Sequence, residues 1–196
     1  MGKKTKSTPY GSIDAPFNPI QLALGAGGTF IARTIDVHAK HLQSMLVASH
    51  GHKGTGFVEI YQNCNIFNDG AFDAYRGKGE REENALFLEH GQPMVWGKSV
   101  RRGLVLDGTT FRVITIGEDG SEEDCCVHDE GNYVQAQLLS QLEHPAFPVP
   151  MGILYRVQRP TYEQAFQDQV SDARAKLGNG DLEKLVKGGD TWRVGS

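Results

Sequence analysis

Residues 29–61 constrain the fold more than any other stretch of this chain. A short apolar run, Thr29-Phe30-Ile31-Ala32-Arg33, precedes about three turns of helical periodicity from His38 to Ser49, with Leu42, Met45 and Leu46 on one face. A second apolar run, Phe57-Val58-Glu59-Ile60-Tyr61, follows. Strand, helix and strand in that order make a βαβ unit, whose crossover sets the two strands parallel. The expected class is therefore α/β with a parallel sheet core. Sites in such sheets collect beyond the carboxyl ends of strands. The segment just past the second run, Gln62-Asn63-Cys64-Asn65-Ile66-Phe67-Asn68-Asp69-Gly70, is dense in polar groups and is the first place to look for chemistry.

Around this unit the organisation is looser. The opening ~20 residues, with Pro9, Gly11, Pro16 and Pro19, read as irregular chain. Residues Tyr75 to Asn84 are charged and read as a surface connection into a short helix near Glu82 to Leu88. Gly103-Leu104-Val105-Leu106 and Phe111-Arg112-Val113-Ile114-Thr115-Ile116 flank Asp107-Gly108-Thr109-Thr110, an antiparallel hairpin appended to the core. Helices are expected near Asn132 to Leu142 and from Thr161, where Thr161 and Gln164 have capping-box spacing. In the latter, Tyr162, Ala165, Phe166, Val170, Ala173 and Leu177 form one apolar stripe, suited to core packing or to a partner.

Charge and targeting signals exclude several function classes. With 24 acidic and 20 basic residues and no polybasic block beyond Lys3, Lys4 and Lys6, nothing favours nucleic acid or an anionic membrane. The start has no apolar stretch resembling a signal sequence, Lys6 breaks a myristoylation pattern, and no run approaches the ~20 apolar residues of a membrane span. A cytoplasmic location is expected. Three cysteines, Cys64 and the vicinal Cys125-Cys126, make a poor disulfide framework.

Several motifs are weaker than they look. Gly25-Ala26-Gly27-Gly28-Thr29-Phe30 lacks the third glycine of a dinucleotide fingerprint and precedes a strand, so it reads as a tight turn. Gly91 and Gly97-Lys98-Ser99 have the wrong spacing for a phosphate loop, and Pro93-Met94-Val95-Trp96 between them looks like strand. His38, His41, His50 and His52 crowd the helix and its exit without a completing cysteine or carboxylate, and read as solvated or backbone-bonded. Glu118-Asp119-Gly120-Ser121-Glu122-Glu123-Asp124 lacks the alternation of a calcium loop and reads as an exposed turn. Cys125 and Cys126 should diverge as small buried thiols. Cys64 differs, because it sits alone in a polar strand-end loop, a position from which a thiolate can face a metal centre or a substrate.

Taken together, Tyr10 to Pro19, the glycine turn with Phe30-Ile31-Ala32-Arg33, and Gly54 to Asp69 resemble the thiamine-diphosphate-binding beta subunit of 2-oxoacid:ferredoxin oxidoreductases. The likeness continues through His90-Gly91-Gln92-Pro93-Met94, Val127-His128-Asp129 and Pro145 to Gly152. Its most specific element is Glu59 to Asp69, similar to the family's strand and cysteine loop. The region from Leu88-Glu89-His90-Gly91 onward resembles the 2-oxoglutarate enzymes more than the pyruvate ones.

The resemblance implies that Cys64 is the last of four ligands of a [4Fe-4S] cluster, with Asn65, Asn68 and Asp69 shaping its surroundings. It implies oxidative decarboxylation of a 2-oxoacid on thiamine diphosphate and Mg2+, with the acyl group passed to coenzyme A and electrons to ferredoxin, in company with an alpha subunit. The other cluster cysteines and the Gly-Asp-Gly segment for magnesium and diphosphate are not in this sequence. The chain is thus expected to be a C-terminal portion: residues 1–75 the end of a thiamine-diphosphate-binding domain with the cysteine loop, residues 76–196 a C-terminal region of hairpin and helices. A non-catalytic assembly domain derived from that fold, and a paralogue acting on pyruvate or another 2-oxoacid, are the competing readings.

Overall fold

A computed structural model describes residues 2–189, 191, 192, 194 and 195. The chain forms two compact units, Met1–Arg159 and Pro160–Ser196.

In the first unit the glycine-rich turn has a clear local cause. Helix α1, Pro19–Gly25, starts with Pro at its first position and is capped by Asn18, whose side chain accepts a hydrogen bond from the Gln21 amide at 3.1 Å. The Asn18 amide group also donates to the Ser140 carbonyl at 2.6 Å, fixing where the helix docks. Ile20 and Leu24 are buried, and the chain leaves α1 through Gly27, at φ +80°, into strand β1, Phe30–Ile35. The expected tight turn is what the structure has.

Strand β1 is buried along its whole length because it has neighbours on both edges and cover on both faces. After helix α2, Ala39–Gly51, strand β2, Gly56–Tyr61, pairs with β1 in parallel, from Phe30 against Gly56 to Ile35 against Tyr61. The βαβ expectation therefore holds. The helix differs in one respect: it has no fully buried residue. Met45 and Ala48 reach the cluster of Phe30, Ala32 and Ile153, while Leu46 faces solvent.

Helices α3, Asp73–Arg76, and α4, Lys78–Asn84, lead into strand β3, Ala85–Phe87. The sequence pattern places a helix over Glu82 to Leu88 and a plain surface connection before it. Instead the helix lies earlier and Ala85-Leu86-Phe87 pairs in the sheet, because burying Ala85 and Leu86 outweighs their helical propensity. Strands β4, Val95–Trp96, β5, Arg102–Asp107, and β6, Thr110–Thr115, form a separate antiparallel sheet. Its hairpin turns at Gly108-Thr109, with Gly108 at φ +60° as a tight two-residue turn demands. Helix α5, Tyr133–Ser140, capped by Asn132, precedes strand β7, Val149–Arg156.

Strand β7 makes the main sheet mixed. It runs parallel to β3 but antiparallel to β1, giving the order β2-β1-β7-β3. Two of the sheet's three pairings are parallel, and the third is antiparallel because β3 and β7 both run opposite to β1 and β2. Pro150 and Gly152 hide this strand from a sequence reading, since proline and glycine both count against a central strand. Gly152 sits at φ +123° near a register shift, where an added Cβ would lie 2.9 Å from the Leu88 carbonyl oxygen. Ile20, Leu24, Ile31, Leu86, Met94, Leu104, Leu139 and Leu154 form one buried cluster, each side chain contributing about 2 kcal/mol by removal from water.

The second unit holds helix α6, Tyr162–Leu177, and helix α7, Leu182–Val186. Thr161 accepts from the Gln164 amide, but the Gln164 side chain turns forward to Asp168 at 2.8 Å, so only half of the expected capping box forms. The apolar stripe is solvent-facing: α6 has no buried residue, and Tyr162, Phe166 and Leu177 are exposed.

Candidate functional site

The loop after β2 is built around Cys64. The Asn68 amide donates to the Cys64 carbonyl at 2.9 Å, closing a one-turn bridge, and the Phe67 amide points at Cys64 Sγ from 3.4 Å. Asn63 clamps the far side: its Nδ2 donates to Asp69 Oδ1 and its Oδ1 accepts from the Gly70 amide, both at 2.9 Å. The N-terminal segment adds a second clamp. Lys3 Nζ donates to Asn68 Oδ1 at 2.7 Å and to the Asp69 carbonyl at 3.1 Å, with the Lys3 carbonyl itself held by the Ser12 amide.

Converging amides favour negative charge on sulfur. The Cys64 pKa is lowered, chiefly by the Phe67 N–H, then by that of Ile66, with a smaller contribution from Asn68; partial burial and the Asp69 carboxylate oppose it. A thiolate is the form that binds metal. The loop therefore presents a single sulfur favoured as thiolate, with one amide donating to it. Four thiolates are needed for a cluster, and burial raises the pKa of both other cysteines: Cys125 packs with Val105 and Ile114, Cys126 against the main core. Their divergence agrees with expectation. Among the described residues no group of three or more His, Cys, Asp or Glu side chains is placed to hold a metal ion.

The structure brings Cys64, Asn68 and Asp69 together, while the exposed Asn65 side chain bonds to no described residue. Asn63 and Lys3 are the members that sequence reasoning missed. Asn63 is detectable in principle, since Asn and Asp flanking a turn cap its backbone. Lys3 lies 65 residues from its partner and carries no local signal.

Beneath the loop, Arg33 and Glu59 are direct cross-strand partners joined at 2.6 Å, and the Arg33 guanidinium lies 5.3 Å from the Tyr61 ring centroid. Tyr61 stacks on Phe72 at 4.4 Å. Burial raises the Tyr61 pKa and pushes that of Tyr75 up to about 12, so both remain neutral supports.

The other motifs resolve as structural. Two histidines bond to threonines, His41 Nδ1 meeting Thr34 Oγ1 at 2.7 Å and His52 Nε2 meeting Thr29 Oγ1 at 2.8 Å, while His38 and His41 pack edge-on to Phe87 and the buried His38 Nδ1 has no hydrogen-bond partner among the described residues. This corrects the expectation of solvated or backbone-bonded rings, which only the exposed His50 fits by its exposure. The amides of Lys98 and Ser99 donate to Glu83 Oε1, at 3.2 and 2.6 Å, so a carboxylate of the chain itself fills the loop that resembled a phosphate cradle. In the acidic segment, Asp119 and Asp124 accept from the backbone amides of Thr115 and Ser121, and Glu122 pairs with Arg101 at 2.8 Å. Among the described residues no helix is long and apolar enough to cross a membrane.

No family model matches the chain. Individual proteins do, and they are beta subunits of 2-oxoacid:ferredoxin oxidoreductases: that of Saccharolobus solfataricus is 39% identical over 35% of this chain and 23% of its own length. The chain is similar over nearly its full length to one kind in particular. The 2-oxoglutarate oxidoreductase subunit KorB of Mycobacterium tuberculosis is 41% identical over 99% of this chain and 53% of the relative, so the chain spans about half the length of that protein. A solved 2-oxoglutarate:ferredoxin oxidoreductase from Magnetococcus marinus, with 2-oxoglutarate, coenzyme A and succinyl-CoA bound, shares the fold at TM-score 0.59 and 24% identity, over 95% of this chain and 49% of that chain.

Proposed function

We propose that this chain is a portion of the beta subunit of a 2-oxoglutarate:ferredoxin oxidoreductase, which converts 2-oxoglutarate and coenzyme A to succinyl-CoA and passes electrons to ferredoxin. The observation that carries the reading is the likeness to the mycobacterial 2-oxoglutarate subunit along 99% of the chain, including the cysteine loop. In this reading residues 1–75 complete a thiamine-diphosphate-binding domain and residues 76–196 form the subunit's C-terminal region. Thiamine diphosphate and Mg2+ are held by residues outside this sequence.

Cys64 supplies one iron ligand of a [4Fe-4S] cluster, which when bound carries electrons one at a time. The Phe67 amide donates to the Cys64 sulfur at 3.4 Å, and the Asn63, Asp69 and Lys3 clamps keep the loop that carries it in place. An alpha subunit as partner is supported by the exposed apolar side chains of Tyr162, Phe166 and Leu177 on α6, and of Leu182 and Leu185 in the helix that follows.

The test is to assemble the chain with the remainder of a beta subunit and with an alpha subunit, then assay coenzyme-A-dependent ferredoxin reduction with 2-oxoglutarate and with pyruvate. Turnover of 2-oxoglutarate, and loss of iron and activity in Cys64→Ser, are the expected results. Iron content unchanged by Cys64→Ser would remove the ligand role, and turnover of pyruvate alone would reassign the substrate.

A further inference from the structure

A cleft of about 270 Å³ opens between the antiparallel sheet and two other segments of the first unit. Its floor is one face of the sheet. Trp96 and Arg102 are direct cross-strand partners, and Val113 lies opposite Leu104, two residues beyond Arg102, so all three side chains project to the same side. The end of α4 gives one wall, with Glu83 and Asn84; residues His144 to Pro148 give the other.

The cleft holds one carboxylate and one guanidinium, and Arg102 is near enough to add to the hydrogen bonds from Ser99 and Lys98 that hold the Glu83 carboxyl below its usual range, without pairing with it directly. Glu83 is engaged by the Lys98 and Ser99 amides, and the Asn84 amide group donates to the Ala74 carbonyl at 3.0 Å. Arg102 has no carboxylate within 4.0 Å and no side-chain hydrogen bond among the described residues, although it is partly buried against the 7% exposed Trp96. A guanidinium offers five donors in a fork matched to a carboxylate, and it shares this sheet face with an indole and a valine suited to a flat or aliphatic body. A volume of about 270 Å³ lies near the lower end of ligand pockets and suits a small molecule.

We propose that this cleft binds a small organic carboxylate, its carboxyl group paired with Arg102 and its carbon skeleton lying against Trp96 and Val113. The proposal does not depend on the cluster-ligand role of Cys64.

Trp96 reports on the site directly once the chain's other tryptophan is replaced. In the Trp192→Phe chain, succinate and benzoate, with uncharged succinamide as control, are titrated while Trp96 emission is followed. The expected result is a saturable change with the two carboxylates and none with succinamide. Affinity should fall about tenfold or more in Arg102→Gln, whose fold is checked by circular dichroism, and should be partly retained in Arg102→Lys. No saturation with either carboxylate up to roughly 10 mM would overturn the proposal. So would an equal response to succinamide, or affinity unchanged in both Arg102 variants.

Discussion

Arg33 Nε and a carboxylate oxygen of Glu59 lie 2.6 Å apart across the parallel pairing of β1 and β2, with the arginine only 3% exposed. The pair sits in the sheet directly before the cysteine loop, and the guanidinium also faces the Tyr61 ring. Its consequence for stability is asymmetric. A buried ion pair contributes little net stability against an apolar replacement, but removing one partner strands the other charge.

Glu59→Ala should therefore destabilise the chain by about 3 kcal/mol. Urea denaturation followed by circular dichroism measures it. A loss below about 1 kcal/mol would mean that water or a neighbouring group compensates Arg33, and that the pair does not anchor the base of the loop.

Cys64 should react before the other thiols. Its pKa is lowered by the Phe67 and Ile66 amides, whereas burial raises those of Cys125 and Cys126. Iodoacetamide labelling read by mass spectrometry across a pH series should give Cys64 the lowest midpoint. Asn63→Ala, which removes two bonds closing the loop, should shift that midpoint upward. An unshifted midpoint would show that the amides hold their positions without the clamp.

How far this arrangement can be read from residues alone depends on the range of the interactions. The βαβ unit, the Gly108 hairpin, the Asn132-led helix and the position of Cys64 past a strand end all follow from local pattern and turn chemistry. Strand β7 does not, because Pro150 and Gly152 are tolerated only through its particular neighbours. The same holds for β3, whose three residues become strand by pairing with β7. Lys3 and the threonine partners of His41 and His52 are likewise set by tertiary contacts with no periodicity to betray them.

The histidine cluster gives stability a pH dependence. Burial, then the nearby His38 and Arg81, lower the His41 pKa from 6.5 to about 4, and burial also lowers those of His38 and His52. Below 6.5 the unfolded chain binds protons that the folded chain does not, so stability is full above that value and falls as pH drops toward about 4. Thermal melts over this window should show a declining midpoint, and His41→Gln should flatten the decline. A slope unaltered by His41→Gln would assign the acid sensitivity elsewhere.

Gly152 tests whether β7 governs the main sheet. Its φ of +123° disfavours any side chain, and a Cβ there would meet the Leu88 carbonyl oxygen at 2.9 Å, a backbone atom held in place because the Leu88 amide bonds to Met151 at 2.7 Å. Relief requires moving either β7 or the chain leaving β3, and both lie beside the buried Leu86 and Met151. Gly152→Ala should therefore cost about 2 to 4 kcal/mol, more than the half-kcal scale of an ordinary surface change. Chemical denaturation gives the magnitude, and hydrogen exchange its location: protection should fall in β1, β3 and β7 together while the β5–β6 hairpin keeps its own. A loss confined to β7 would mean that β1 and β2 stand without it.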